Sequence, residues 1–475
     1  MEDLSGLLYR HTSRVVSATR RSLAHWSLSE RGLPSLVVPN LHWGLSATVC
    51  YDMTAPQARA VVKGRSSEVM RLGMHERVAG SSRRWSNAAA LALAVVLVSV
   101  LAAHGAPPSG APFEINTILP LTGGAAFLGQ PENQALQILE RHVNDQGGIQ
   151  GRPIRFVIQD DQTSPQLAVQ LANQVMAKRV PVILGSTLVA ICRAMAPLMK
   201  DGPVMYCFSP GIHPDEGGYV FTSSVSTRDL AQASITFMRG KGWTRLAILT
   251  STDATGQDAE EGINAAVALP QNQGVQVVAR EHFNTQDVSV AAQIARISAA
   301  QPQTLIAWST GAPIGTVFKG IAQGGLTIPV FTTNGNQTYA QMQQYASFLP
   351  QELYIPTSTW PAYETLPPGR VKQAQKIFFD AFHAANLKPD LGASIAWDPA
   401  VLVIEALRHL GPAATATQIR DYLVHLRGIA GINGIYDFKT SPQRGLNLRD
   451  AIVTRWNPAK QAWDPVSGPG GAPAK

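Results

Sequence analysis

Residues 116–165 read NTILPLTGGAAFLGQPENQALQILERHVNDQGGIQGRPIRFVIQDDQTSP and contain, in order, the parts of a strand–helix–strand unit. Apolar residues at 115–119 predict a short strand, and the glycine pair at 123–124 forms the turn after it. The pair at 147–148 ends the helix that follows, and the run 154–158 predicts a buried parallel strand. The helix is indicated by apolar residues at the spacing of one buried face: Ala135, Ile138, Leu139 and Val143.

The same alternation of strand and helix continues along most of the chain. Ser164 and Pro165 are typical of the cap and first turn of a second helix. Strands that alternate with helices imply a right-handed, doubly wound parallel sheet, so the fold class predicted is α/β. The second half repeats this rhythm without repeating the sequence. The further strands predicted are 180–184, 204–208, 246–250, 275–279, 304–308, 330–332, 434–438 and 451–456.

Three motifs of this opening resemble one known family. They are PLTGxxAxxG at 120–129, NDQGGIQGRPI at 144–154 and QDDQTSPQLA at 159–168. In this order they are similar to the start of the type I periplasmic solute-binding proteins, in particular the branched-chain amino acid and amide subgroup that serves ABC importers. The resemblance extends from about residue 113 to 463. It implies two doubly wound parallel-sheet lobes joined by a three-strand hinge, which closes a cleft between them.

The resemblance also implies how the chain divides into domains. Crossings between the two lobes are expected near Ser224, Thr357 and Thr440. The last ten residues are rich in Pro and Gly, which predicts a mobile tail. The expected domains are 113–225 plus 357–440 for lobe I, 226–356 plus 441–465 for lobe II, and 466–475 for the tail.

The N-terminal region has the pattern of an export signal. Arg83 and Arg84 precede an uncharged apolar run at 88–103, and small residues follow it. This run is shorter than the ~20 residues of a membrane span, so 83–105 is interpreted as a secretory signal peptide and the mature protein as periplasmic. Residues 1–82 show no sustained period and have no assigned role. Two alternatives are translation that begins near Met70 or Met74, and a cytoplasmic tail with a signal anchor.

The positive charge of the chain is concentrated in its first part. The net charge is +7, but residues 1–105 hold 12 Lys and Arg against 6 Asp and Glu. The remaining residues hold 27 basic against 26 acidic side chains. A nearly neutral body lacks the basic surface on which nucleic-acid binding depends, so no nucleic-acid partner is expected.

Motifs of enzyme chemistry are absent from the sequence. It has no Gly-x-x-x-x-Gly-Lys-Ser/Thr loop, and the turn at 122–129 lacks the spacing of a dinucleotide fingerprint. The histidines are scattered without neighbours at metal-ligand spacing. Ser186 and Ser209 lack the Gly-x-Ser-x-Gly elbow of a nucleophile, which favours hydrogen-bonding roles. The pair Asp160-Asp161 is expected to cap the turn and helix that follow. The sequence therefore predicts no cofactor, no metal and no catalysis.

Two of the three cysteines lie in the body of the chain. Cys192 follows one predicted strand and Cys207 lies near the end of the next, whereas Cys50 precedes the signal. An oxidising compartment permits a disulfide between the first two after export. Two separately buried thiols are the alternative.

Candidate ligand-binding residues follow from the position of the strand ends. Ligands of open α/β sheets bind outside the carboxyl ends of the strands, and a binding protein needs a cleft with a few polar anchors. Loops after corresponding strands of both lobes therefore supply the candidates, which are Phe127, Leu128, Leu188, Val189, Ser209, Gly211, His213, Thr255, Trp308, Ser309 and Asn334.

The expected function is capture of a small molecule and its delivery to the permease subunits of an ABC importer. The alternative is a ligand-sensing receptor or regulator of the same fold, which should carry an output domain. An enzyme is the third hypothesis, and it lacks a catalytic set.

The ligand class is predicted from two departures from the family. Val189 stands where the family's amino-acid binders place a hydroxyl residue for the carboxylate, and Asn334 where they place an acid for the ammonium. A buried ammonium without a carboxylate partner is costly. A small carboxylate, for example an aromatic acid, or another polar organic molecule without an α-ammonium is therefore favoured, with Ser209 as its partner and His213 as a further candidate. The alternative is an amino acid whose ammonium meets Asp253 or Asp258.

Overall fold

The structure is a computed structural model that describes residues 25–28, 34–37, 48–51, 60–63 and 108–473. Its N-terminal unit is an antiparallel four-stranded sheet in chain order, in which each strand has four residues. Strands this short are consistent with the lack of a sustained sequence period. The predicted signal peptide, 83–105, lies outside the described residues. The four strands are β1 (His25–Leu28), β2 (Pro34–Val37), β3 (Thr48–Tyr51) and β4 (Ala60–Lys63).

Lobe I is built on a five-stranded parallel sheet of order β6-β5-β7-β8-β9. Its strands are β5 (Phe113–Leu119), β6 (Ile154–Asp160), β7 (Val182–Gly185), β8 (Val204–Cys207) and β9 (Val220–Thr222). Its first helices are α1 (Ala126–Asp145), α2 (Pro165–Met176) and α3 (Val189–Met195). Ser164 accepts a hydrogen bond from Leu167 N and caps α2, as predicted. A Cβ at Gly129 would lie 2.2 Å from the Pro120 carbonyl oxygen, so α1 passes the end of β5 only because residue 129 is glycine.

Both faces of the lobe I sheet are buried, as its apolar strands require. Ile118, Ile183 and Met205 face one core with α2 and α3, whereas Ile115 and Leu184 belong to the larger core. Cys192 on α3 and Cys207 on β8 are joined by a disulfide, with their Cα atoms 6.2 Å apart. The pairing that the sequence left open is thus present in the structure, and it ties this helix to the sheet.

Lobe II follows β9 and begins with five parallel strands of order β11-β10-β12-β13-β14. The strands are β10 (Arg245–Ser251), β11 (Gln276–Phe283), β12 (Thr304–Trp308), β13 (Val330–Phe331) and β14 (Leu353–Ser358). The helices are α4 (Thr227–Gly240), α5 (Ala254–Val267), α6 (Ala291–Ala299), α7 (Ala312–Gln323) and α8 (Tyr339–Gln344).

The chain then returns to lobe I with three helices and a small hairpin. They are α9 (Arg370–Ala384), α10 (Leu391–Leu410), α11 (Ala416–Val424), β15 (Arg427–Ala430) and β16 (Ile435–Asp437). The long helix α10 packs along α1. It begins at Asp390, whose carboxylate accepts a hydrogen bond from Gly392 N. Asp398 on the same helix accepts hydrogen bonds from Ile432 N, Asn433 N and the Tyr436 hydroxyl, which holds the hairpin on lobe I.

The last two strands, β17 (Ala451–Asn457) and β18 (Ala462–Pro465), return to the lobe II sheet. They extend its order to β11-β10-β12-β13-β14-β17-β18, and both are antiparallel to their neighbours. The predicted α/β class with parallel sheets is confirmed, with one correction. The lobe II sheet is mixed, because β17 returns from lobe I antiparallel to β14, and β18 follows β17 as a hairpin, which needs no crossover helix.

Residues 466–473 differ from the mobile tail predicted over 466–475. Ser467 Oγ accepts a hydrogen bond from Val453 N at 2.8 Å. A Cβ at Gly471 would lie 1.9 Å from the Ala233 carbonyl oxygen, so the short turn Pro469–Gly471 lies directly against α4. The Pro and Gly content of this segment predicted mobility, because composition alone does not show that the segment packs against the rest of the protein. In the described part of the chain, no helix has the length and apolar character needed to cross a membrane.

Candidate functional site

A cavity of about 40 Å³ lies between the carboxyl ends of the two large sheets. Loops after β5, β7 and β8 form its lobe I wall, and loops after β10, β12 and β13 form its lobe II wall. Space of this size holds only a few water molecules. The cavity is lined by Leu128, Thr187, Leu188, Val189, Phe208, Ser209, Pro210, Gly211, Leu391 and Ile395 of lobe I and by Thr227, Thr255, Asp258, Trp308, Thr310, Thr333, Asn334 and Gly335 of lobe II.

The structure brings eight of the eleven candidate residues together around this cavity. They are Leu128, Leu188, Val189, Ser209, Gly211, Thr255, Trp308 and Asn334. The other three lie elsewhere. Phe127 packs at the edge of the cleft, where a Cβ at Gly311 of lobe II would lie 3.2 Å from its ring. Ser309 is fully buried behind Trp308, and His213 pairs with Asp258. Whether the eight bind a ligand remains a prediction.

Ten of the eighteen lining residues were not among the eleven candidates, and four of them show why. Phe208 was predicted inside its strand, and Thr227 begins the helix after the first crossing. Leu391 and Ile395 lie on α10, a helix that does not directly follow a strand. A helix-start signal, Asp390 before an apolar run, was available for α10. Nothing local in the sequence shows that this helix borders the cleft.

Polar side chains on the lobe I wall are hydrogen-bonded within that lobe. The Thr187 hydroxyl donates to Glu132 of α1, with distances of 2.7 and 2.8 Å to the two carboxylate oxygens. Glu132 is fully buried, and burial together with Asp161 and Asp390 outweighs the Thr187 hydrogen bond and raises its pKa to about 8. The wall is therefore supported by a glutamate that carries a proton at neutral pH.

The acidic pair 160–161 fixes the turns behind this wall. Asp160 Oδ1 accepts hydrogen bonds from the backbone of Leu121, Thr122 and Gln162. Asp161 Oδ1 accepts from Thr163 N, and its Oδ2 accepts from the Ser186 hydroxyl at 2.5 Å. The pair thus caps turns, as predicted, but the cap of α2 is Ser164 instead. Burial raises the pKa of Asp161 despite these hydrogen bonds.

The lobe II side differs, because two of its cavity-lining side chains have a buried polar atom without a hydrogen-bond partner among the described residues. They are Asp258 Oδ2 and Asn334 Nδ2; together with Ser309 Oγ, which is also unpartnered but does not line the cavity, we call them the open polar atoms. Asn334 is fully buried, and its Oδ1 accepts from the Thr333 hydroxyl at 3.3 Å. A buried polar group without a partner is unfavourable, and such groups point to a missing partner.

Asp258 of α5 connects the two lobes. Its Oδ1 lies 2.7 Å from His213 Nε2 and 3.7 Å from Arg193 Nη2, both on lobe I. These two residues also line a larger groove of about 690 Å³, which is formed by lobe I alone and is open to solvent. The smaller cavity is the better candidate site, since it joins both lobes and contains the open polar atoms of Asp258 and Asn334.

Arg444 connects the cleft to the crossings of the chain. Its guanidinium is buried and donates to four backbone carbonyl oxygens, those of Ser223 and Ser224 in the first crossing and those of Pro210 and Ile212 in the cleft loop. Burial lowers its pKa to about 10, against the opposing effect of nearby acids. One charged side chain of the third crossing therefore positions the loop that carries Gly211.

The described residues contain no group of three or more His, Cys, Asp or Glu side chains that is arranged to bind a metal ion. The residues that line the cavity offer hydrogen bonds and apolar contacts around an enclosed space.

Two α/β lobes that enclose a cavity between the carboxyl ends of their sheets define a two-lobed binding protein. The family model of the periplasmic binding proteins matches residues 112–462, and the chain belongs to this family. A search among curated proteins found no match.

Solved structures of similar fold include an extracellular ligand-binding receptor from Rhodopseudomonas palustris, with 20% identity, a TM-score of 0.67, and coverage of 75% of this chain and 100% of that chain. A branched-chain amino acid transporter substrate-binding protein from Streptococcus pneumoniae in complex with isoleucine has 17% identity, a TM-score of 0.63, and coverage of 75% and 99%. An ABC transporter solute-binding protein from R. palustris in complex with benzoate has 19% identity, a TM-score of 0.62, and coverage of 77% and 98%.

Proposed function

We propose that the protein is an exported solute-binding protein that captures a small organic molecule between its lobes and delivers it to the permease subunits of an ABC importer. One observation carries the proposal: a single cavity is lined by strand-end loops of both lobes, with Trp308 and Asn334 on one side and Val189 and Ser209 on the other. The family supports it. It agrees with two of the similar solved structures, which are transporter solute-binding proteins in complex with isoleucine and with benzoate.

Capture depends on the lobes separating. The cavity of about 40 Å³ is too small for an organic solute, so the lobes must separate for a ligand to enter and then close around it with a wider cavity than the present one. The ligand stabilises that closed form. The chain passes between the two large sheets three times, after β9, after β14 and before β17. Such crossings allow hinge closure without unfolding. A permease can then distinguish loaded from empty protein by its outer shape.

The lining favours a ligand with an apolar body. Leu128, Phe208, Trp308, Leu391 and Ile395 surround the cavity, and aromatic side chains provide large contact areas for flat or apolar groups. The predicted acid was to be held by Ser209 and His213. His213 is already paired with Asp258 at 2.7 Å, so of the two proposed carboxylate partners only Ser209 lines the cavity.

We also propose that the protein is exported and that it binds its ligand without catalysing a reaction. The proposed location of the protein is the periplasm, which it reaches through the signal peptide at 83–105. Intact mass of the exported protein should give a start near Ala106, because small residues precede that point. A mature chain that retains Cys50 would contradict the signal assignment.

Thermal shift and small-angle scattering test the function. The purified protein is screened with leucine, isoleucine, benzoate and simple amides. At 100 times its dissociation constant a ligand adds about 2.7 kcal/mol to the free energy of unfolding. The compound that gives the largest shift should also lower the radius of gyration. A bound compound with no compaction at saturation argues against lobe closure.

A further inference from the structure

Asp258 lies at the boundary between the cleft and the outside of the protein. Its side chain is 1% exposed and lines the cavity. Among the described residues that line the cavity, it is the one with an ionisable side chain. Its two oxygens have different surroundings, and this difference bears on the ligand.

The outer oxygen, Oδ1, is occupied. His213 Nε2 lies 2.7 Å from it and Arg193 Nη2 lies 3.7 Å from it. Both partners line the outer groove of lobe I rather than the cavity. The positive charge that balances Asp258 is therefore supplied from outside the cleft.

The other oxygen, Oδ2, is buried and has no hydrogen-bond partner among residues 108–473. It lies against Gly211, since a Cβ added there would be 2.9 Å from it, and Gly211 lines the cavity as well. A carboxylate oxygen accepts hydrogen bonds and cannot donate when ionised. A ligand that satisfies this atom must present an N–H or O–H group.

The charge of that group follows from the same arrangement. A ligand carboxylate would place a second negative charge beside Asp258, with no cation among the described lining residues to stabilise it. A ligand ammonium would lie near the positive Arg193 that already balances Asp258. An uncharged donor avoids both costs.

Asn334 provides the complementary group on lobe II. Its Nδ2 is buried and without a partner in the described chain, and an amide nitrogen donates hydrogen bonds. The cavity thus offers one acceptor atom and one donor atom within an apolar lining. A neutral amide contains both complementary groups, a donor N–H and an acceptor oxygen.

We propose that Asp258 selects the ligand by accepting a hydrogen bond from an uncharged N–H or O–H group, so that the cleft takes a neutral amide or alcohol with an apolar body in preference to the matching carboxylate. This inference rests on the function proposed above, and it replaces the carboxylate predicted from the sequence. Asn334 donates to the oxygen of the same ligand.

Matched pairs of ligands test the selection. Benzamide and benzoate share their shape and differ in charge, as do isovaleramide and isovalerate. Calorimetric titration of the purified protein should give the amide of each pair a dissociation constant lower by about tenfold or more. The proposal is overturned if the acid of either pair binds more tightly than its amide. It is also overturned if none of the four compounds binds.

Variants show whether Asp258 causes the preference. Asp258→Asn replaces the acceptor by a group that also donates, so the amide-to-acid ratio should fall to near one or reverse. Asp253→Asn is the matched control on the same helix: Asp253 caps α5 and does not line the cavity, and asparagine caps equally well, so the ratio should stay. Asn334→Ala should weaken the binding of both the amide and the acid, and it should leave the ratio of their dissociation constants unchanged. A ratio unchanged in Asp258→Asn overturns the proposal.

The outcomes separate this inference from the function. If leucine or benzoate binds and compacts the protein while the amides do not bind, the solute-binding function stands and the Asp258 proposal falls. If an amide binds with the expected ratio and the radius of gyration does not change, the Asp258 proposal stands and the capture mechanism falls.

Discussion

At the cleft, lobe I holds its polar side chains in internal hydrogen bonds, whereas two cavity-lining side chains of lobe II each leave a polar atom without a partner in the described chain. Thr187 and Ser186 donate to the buried acids Glu132 and Asp161. The unpartnered atoms at the cavity are Asp258 Oδ2 and Asn334 Nδ2. The two lobes have related architecture, so the difference lies in the side chains at their strand ends.

This difference indicates separate tasks for the two walls. Lobe I keeps its shape without a ligand, and its disulfide adds to that rigidity. Lobe II contributes atoms whose burial is unfavourable until something satisfies them. The closed form without ligand is therefore destabilised by its own lobe II wall, and the ligand removes that cost.

The largest effect is expected from Glu132, in the dependence of stability on pH. This residue ionises near pH 4.5 in the unfolded chain and near pH 8 in the folded protein. Between these values the folded state binds a proton that the unfolded state does not, so the free energy of unfolding falls as pH rises. Glu132→Gln removes this contribution to the pH dependence, which is at most about 1.4 kcal/mol per pH unit. Denaturant unfolding of both proteins at pH 5, 6 and 7 measures it. Parallel curves would mean that Glu132 is charged in the folded protein.

Reduction of the disulfide tests the rigidity of lobe I. Cys192 and Cys207 are 15 residues apart, and closing a loop of that length contributes about 3 kcal/mol to stability. Dithiothreitol should therefore lower the thermal midpoint of the protein. The double variant Cys192→Ser/Cys207→Ser should be less stable and insensitive to the reductant. A midpoint that reductant leaves unchanged in the wild type would contradict the linkage.

Asp161→Ala tests the hydrogen bonds of the lobe I wall. The change leaves the Ser186 hydroxyl and Thr163 N without their acceptor, and a loss of about 2 kcal/mol is expected. Denaturant unfolding without ligand is the measurement. Asp161→Asn, which keeps an acceptor oxygen, is the control and should lose less. Equal stability of Asp161→Ala and wild type would remove the distinction between the two walls.

Ser309→Ala should have the smallest effect on stability. The Ser309 hydroxyl is buried and has no partner in the described chain, so its removal breaks no hydrogen bond and should change the free energy of unfolding by less than ~0.5 kcal/mol or raise it. The same unfolding experiment applies. A loss as large as that of Asp161→Ala would show that Ser309 has a partner in solution.

Local sequence signals predicted the elements that depend on local physics. The strand Thr304–Trp308 was predicted with its observed bounds because an apolar run of that length ends in polar residues. The start of α2 followed from Ser164 and Pro165. The strand Leu353–Ser358 was not predicted; a crossing near Thr357 was expected there, and Pro356 is a residue type that weakens a strand assignment. Its place in the sheet comes from pairing with β17, about a hundred residues later.

The site was predicted only as far as strand ends determine it. That rule identified Val189, Ser209 and Trp308, which the structure places around one cavity. It could not include Leu391, because tertiary packing alone brings α10 to the cleft. It also could not pair His213 with Asp258, because a contact between lobes depends on how they close. That missed pair is the observation from which an uncharged ligand is proposed in place of a carboxylate.

Arg444 has a consequence for the order in which the protein becomes competent. The carbonyl groups of Pro210 and Ile212 precede it by 234 and 232 residues. Synthesis and export both begin at the N-terminus of the chain, so the cleft loop emerges long before residue 444 does. Until then the loop lacks the guanidinium that positions it, although the five strands of the lobe I sheet have already emerged. Solute capture therefore waits for the last part of the chain, and a product truncated before residue 444 contains most of the cleft without a correctly placed wall.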